Sequence, residues 1–254
     1  MTNRQDAERA GYDPSVNAPP PPTETASLFE DFIDIFYAPS NVFARRERSG
    51  YWAHFFIISG IAAIFQFASR SLTAAVFDAE YTRNIAKLMA ENPQVTPEML
   101  ASQRGIMEGV SSVGIYLATP LLILFAAILI WLGAKVVSAS ISFNRAMLIG
   151  TLAQIPRLLG SLLTTVQGLM VDTATIDSMY DVTYSPARFL DPDSMPSQVL
   201  GLIARFDVFT LWVTFLLAVG VSVIAKVPRS RGYAAAAIAW AIPSLIAIVP
   251  LIWA

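Results

Sequence analysis

Cysteine is absent from the 254 residues, and histidine occurs once, at His54. The first absence excludes disulfides, thiolate metal sites and cysteine nucleophiles; the second excludes a multi-histidine metal centre within one chain. Charge is scarce too. Asp, Glu, Lys and Arg make up 14% of the chain, against about 25% in a soluble domain. A net charge of −2 leaves no global basic surface for nucleic acid. No Walker loop, Rossmann glycine fingerprint, HExxH or GxSxG occurs. The expectation is therefore a protein that is not an enzyme and needs no cofactor or catalytic metal.

What fills the chain instead is apolar sequence, 55% of all residues. Five runs are long enough to cross a bilayer, whose hydrocarbon core takes about 20 helical residues. They are Tyr51 to about Leu72, Val113 to Ala134, Phe143 to Val171, Val208 to Ala225, and Ala234 to Ala254. None shows the alternating pattern of an outer-membrane barrel strand. The predicted fold is all-α: a polytopic membrane protein, a five-transmembrane-helix bundle over 49–254.

The third run organises the others. Its centre carries Pro156, which removes a backbone donor and frees the carbonyl of Leu152. Arg157 follows, a charge costing roughly 2.5–3.5 kcal/mol at mid-membrane. Such a segment must face protein or water, so it is predicted to be the central, protein-packed helix. Gln66 in the first run lies at similar depth and is a candidate hydrogen-bond partner for Arg157. Two roles stay open for Arg157, Gln66 and Pro156: a satisfied packing arginine, or a site for a lipid headgroup, an anion or a water-filled path.

Arg45, Arg46 and Arg48, then Lys135 and Arg145, then Lys226, Arg229 and Arg231 flank one set of span ends. The connections 78–112 and 172–205 hold ten acidic and five basic residues. Because Lys and Arg near span ends stay inside, the N-terminus is expected in the cytoplasm and Ala254 opposite, in a bacterial inner membrane. Thr96-Pro97-Glu98 reads as a helix start that continues into the second crossing.

Residues 1–26, with prolines at 19–22, lack apolar periodicity and are expected to be a disordered cytoplasmic tail without a secretory signal. Residues 27–48 form an amphipathic interfacial segment. Ser27 and Glu30 stand at capping-box spacing, and Leu28, Phe29, Phe32, Ile33 and Phe36 share a face opposite Glu30, Asp31 and Asp34. It docks on its own spans or carries a partner helix. Pro39 stops this helix, and Ser40 is a candidate cap for the next.

Other candidates carry blander alternatives. Arg70 and Asp207, both near the outer edge, are predicted to pair as a structural clamp rather than a gate. Gly160, Thr164 and Gly168, and Ala235 with Ala239 and Ala237 with Ala241, suit close helix packing within the bundle or a homo-oligomer seam. Asp191-Pro-Asp193 looks like a fragment of a calcium loop but lacks its glycine and distant glutamate. His54, beside Tyr51 and Trp52, reads as a structural interface residue.

Several segments, in order, resemble bacterial Yip-domain proteins. Phe36-Tyr37-Ala38-Pro39-Ser40-Asn41-Val42-Phe43 is similar to their entry motif. Gly133-Ala134-Lys135 with Ser142-Phe143-Asn144-Arg145-Ala146 is similar to the junction of their second and third spans. Gln154-Ile155-Pro156 falls in the third, and Phe206-Asp207-Val208-Phe209-Thr210-Leu211-Trp212 enters the fourth. Pro39, Phe43, Lys135 and Trp212 carry much of this likeness, which covers about residues 28–252. It implies a five-span protein with a cytoplasmic N-terminus. Eukaryotic Yip-family members bind Rab-type GTPases, but a shared fold does not carry function with it.

The resulting expectation is a membrane protein that organises protein partners or local lipid. Its alternative is a small permease or lipid-handling protein with a cavity near Arg157. Membrane lipids, a membrane or cytoplasmic protein, or a second copy are the candidate partners; nucleic acid is not.

Overall fold

In a computed structural model of the chain, residues 27–92, 94 and 96–248 are described. The expected tail at 1–26 and the end of the fifth run, 249–254, lie outside them. All regular structure among the described residues is helical. The helices are α1 (Leu28–Asp34), α2 (Pro39–Arg46), α3 (Trp52–Ala68), α4 (Arg70–Glu91), α5 (Pro97–Val136), α6 (Phe143–Ala153), α7 (Ile155–Met170), α8 (Ser197–Ala204), α9 (Val208–Ile224) and α10 (Arg229–Ile248). Three short 3-10 turns lie between α7 and α8.

The stretches Val113–Val136 and Phe143–Met170 are long and apolar enough to cross a membrane. Two bent pairs, α3 with α4 at 71° and α8 with α9 at 58°, raise the number to four if each counts as one span. The chain is an integral membrane protein. Its expected central segment is indeed the protein-packed one: 72% of an apolar 18-residue stretch within Phe143–Met170 is buried, against 22% of the corresponding stretch within Val113–Val136. Residues 146–153 of α6 are all buried, packed against α5 and α9, while α7 packs on α3 and α9.

The first run is not continuous to Leu72. It ends at Ala68, where Ser69 Oγ donates to the Phe65 carbonyl at 2.9 Å and the chain bends into α4. The second crossing is the upper part of one 40-residue helix starting at Pro97, through which Pro120 passes without a break. Such a helix is about 60 Å long, twice a hydrocarbon core, and Arg104 in its first half pairs with Asp78 of α4 at 2.6 Å.

Local chemistry sets the helix starts. Ser27 Oγ accepts from Glu30 N at 3.2 Å, and Glu30 Oε2 accepts from Ser27 N at 3.0 Å, completing the capping box. α2 begins at Pro39 rather than behind a Ser40 cap, because proline at the first helical position has its φ preset and its missing N–H costs nothing.

Small residues set how closely helices approach. A Cβ on Gly133 would collide with the backbone of Ala235, bringing α5 against α10. Ala235 and Ala239 are buried there, whereas Ala237 faces outward. Gly160 meets the ring of Phe209 and Gly168 meets Leu72, so this stripe packs inside the bundle.

Candidate functional site

The central span breaks at Gln154. Pro156 offers no N–H, and the Gln154 N–H turns back toward the carbonyls of Thr151 and Leu152. The helix restarts with Arg157 N donating to Gln154 O at 2.9 Å. This break places Gln154 and Arg157 on one cavity of about 260 Å³, together with Arg205, Thr210 and Trp240. On the other side of Arg157 lies a cavity of about 360 Å³ lined by Gln66, Ser69, Thr164, Tyr184 and Asp207.

Arg157 Nη2 donates to Thr210 Oγ1 at 3.1 Å. Thr210 on α9, not Gln66, is thus its side-chain partner, and Gln66 faces it across the second cavity. Nothing in the sequence singled out Thr210, because its role depends on α9 packing beside α7. Arg205 and Trp240 were missed for the same reason. Arg205 Nη2 donates to the Trp240 carbonyl at 3.0 Å, with its guanidinium 5.3 Å from the indole centre.

The expected Arg70–Asp207 pair is not made. Arg70, carried away by the 71° bend, donates to the Phe67 carbonyl at 3.3 Å and lies over the Phe67 ring. Asp207 is fully occupied elsewhere. Its Oδ1 caps α9 by accepting from Phe209 N and Thr210 N at 2.9 and 3.1 Å, and its Oδ2 accepts from Tyr184 N at 3.0 Å. A carboxylate is favoured at a helix N-terminus, and three backbone donors leave it little to offer a distant arginine.

The segment 27–48 is locked down by a group that helical spacing puts on its polar face. Asp31 is 0% exposed. Its Oδ1 accepts from Arg45 Nε at 2.7 Å, and its Oδ2 accepts from Arg46 Nε at 2.6 Å and from His54 Nε2 at 2.7 Å. Burial pushes its carboxyl up, but the hydrogen bonds from His54, Arg45 and Arg46 outweigh this and hold it below its ordinary value. Asp34 accepts from Arg45 Nη1 and from the Tyr37 hydroxyl. His54 is therefore a buried partner of α1 and not a membrane-surface anchor.

Pro39, Phe43 and Trp212 lie where the segment 27–48 meets α9, and Lys135 lies on α5. Pro39 starts α2, and Phe43 is buried against Gly220 of α9. Trp212 packs edge-on to Phe36 at 5.1 Å. Lys135 Nζ sits 3.6 Å over the Trp131 ring. Between α7 and α8, Asp193 pairs with Lys87 of α4 at 3.0 Å and its N–H donates to Asp191 Oδ1 at 2.9 Å. The Asp191-Pro-Asp193 stretch is a turn tied to α4.

The Yip1 domain family matches residues 33–251. Among characterised proteins, the membrane protein YknW of Bacillus subtilis is 25% identical over 222 residues, covering 87% of each chain. No solved structure matches.

Proposed function

The chain belongs to the Yip1 domain family of membrane proteins, and on that premise we propose that it is a non-enzymatic inner-membrane protein that organises the lipid around it. In this reading it crosses five times, through α3, the upper part of α5, the broken α6–α7 span, α9 and α10. The N-terminus is cytoplasmic and the C-terminus lies opposite. The skew of Lys and Arg toward one set of span ends supports the orientation. The 20 residues of α10 are about 30 Å long, enough for a crossing.

One observation carries the role. The buried Asp31 cluster pins one side of the interfacial segment to the bundle and leaves Phe29 and Ile33 exposed on the other. Trp52 and Phe56 are exposed on the neighbouring span. A fixed aromatic rim at headgroup depth orders lipid, and it presents the same face to any membrane protein that docks there. Replacing Phe29 and Ile33 by serine leaves the pinned side, including the Tyr37–Asp34 contact, intact. The lipids and proteins crosslinked to the chain in native membranes should then change; an unaltered set rejects the reading.

A second reading, a small permease or lipid-handling protein, is favoured by the two cavities flanking Arg157. Reconstituted vesicles should then show exchange of a lipid or small solute that Thr210→Val impairs. Equal exchange with and without the protein rejects it.

A further inference from the structure

Four buried polar atoms belong to residues that line the cavity between α5, α7, α9 and α10. Gln154 Oε1, Arg157 Nε, Arg205 Nε and Trp240 Nε1 have no hydrogen-bond partner, and all four residues line it. They come from separate places: the break of the central span, the α8–α9 bend and the middle of α10. Gln154 itself is 3% exposed. Buried donors and acceptors are almost always paired, and unpaired ones mark a missing water or ion.

The sign of the set identifies the missing group. Three of the four atoms are donors, two of them on guanidinium groups, and no Asp or Glu lines the cavity. Asp207, beside Arg157 in the neighbouring cavity, accepts from three backbone N–H groups and offsets part of the Arg157 charge, whereas among the described residues no carboxylate pairs with Arg205. Two guanidinium groups facing one low-dielectric space without a carboxylate are costly unless an anion joins them. A planar fork of donors fits phosphate oxygens. Apart from Thr210 and Thr214 the remaining wall is apolar, and its α5 side, Leu122 and Phe125, is exposed on the outer surface of the bundle. That side admits acyl chains.

We propose that the Gln154–Arg157–Arg205–Trp240 cavity binds a phosphate ester through the two arginines and the indole N–H. Gln154 Oε1 accepts from a hydroxyl of the same molecule. A phospholipid with a hydroxylated anionic headgroup satisfies all four atoms; free phosphate satisfies the three donors. The inference extends the Arg157 reading to a ligand class and needs no transport to hold, so a failed exchange assay leaves it standing.

The test uses the full chain reconstituted in vesicles of phosphatidylcholine with phosphatidylglycerol, then released for native mass spectrometry. The wild type should retain phosphatidylglycerol over phosphatidylcholine, and Arg205→Gln should lose that preference by about tenfold, the scale of one lost charge-assisted contact. Arg205→Lys should recover part of it. In a second arm, lipid-stripped protein is titrated with inorganic phosphate and its melting followed. Stabilisation of the wild type but not of Arg205→Gln, without lipid preference, assigns the site to free phosphate. The proposal is overturned if the wild type shows neither preference nor stabilisation. It is equally overturned if Arg205→Gln behaves as the wild type in both arms. Arg157→Gln is the stricter variant, and Arg205 decides where it fails to fold.

Discussion

Asp31 on α1 and His54 on α3 meet at 2.7 Å with both side chains withdrawn from solvent, 0% and 1% exposed. The contact joins α1 to the start of α3, and Arg45 and Arg46 add two further ion pairs to Asp31.

Removing the carboxylate should therefore cost more than a surface charge does. Breaking a buried pair by deleting one partner costs about 3–5 kcal/mol. Asp31→Ala should lower the melting temperature in detergent by several degrees, whereas Glu30→Ala loses only the capping interaction, about 1 kcal/mol.

Acid should act on the same group with a definite sign. The Asp31 carboxyl is held below its unfolded value of 3.8, so its contribution is complete above that value and is lost as pH falls through the lower, folded one. The stability gap between wild type and Asp31→Asn should be fully present at about pH 5 and narrow as pH falls below it. A gap that closes nearer neutrality contradicts the assignment.

Arg70 and Asp207 should be energetically independent. Asp207→Ala removes a helix cap and a loop contact, costing about 1–2 kcal/mol, and Arg70→Gln should cost almost nothing. A double-mutant cycle should return a coupling near zero. A coupling above about 1 kcal/mol would restore the clamp.

Close helix approach gives a paired comparison. Gly133→Ala drives a Cβ into the Ala235 backbone, while a Cβ at Gly60 meets nothing within 4 Å. Gly133→Ala should destabilise by about 1–3 kcal/mol; Gly60→Ala should be neutral or gain up to about 1 kcal/mol from helix propensity.

Because the chain has no cysteine, orientation is open to single-site labelling. In intact cells Ala10→Cys should be shielded from an impermeant maleimide and Ala174→Cys should react. The reverse pattern inverts the topology.

The sequence by itself determined the helical class, the membrane as solvent, the capping box at Ser27 and the central place of the Phe143–Val171 run. Each of these follows from local composition, spacing or the cost of a charge in hydrocarbon, and needs no knowledge of neighbours. The resemblance carried by Pro39, Phe43 and Trp212 was legible in the same way.

Only the tertiary structure decided which polar group answers which. Asp31 looked solvent-facing until α2 and α3 closed over it, and Arg70 looked able to reach Asp207 until the bend at Ser69 turned it away. Thr210, Arg205 and Trp240 gathered around Arg157 only when α7, α9 and α10 came together. Helical periodicity gives the direction of a side chain around its own axis, but partners lie on other axes, and their distances are set by how the helices pack.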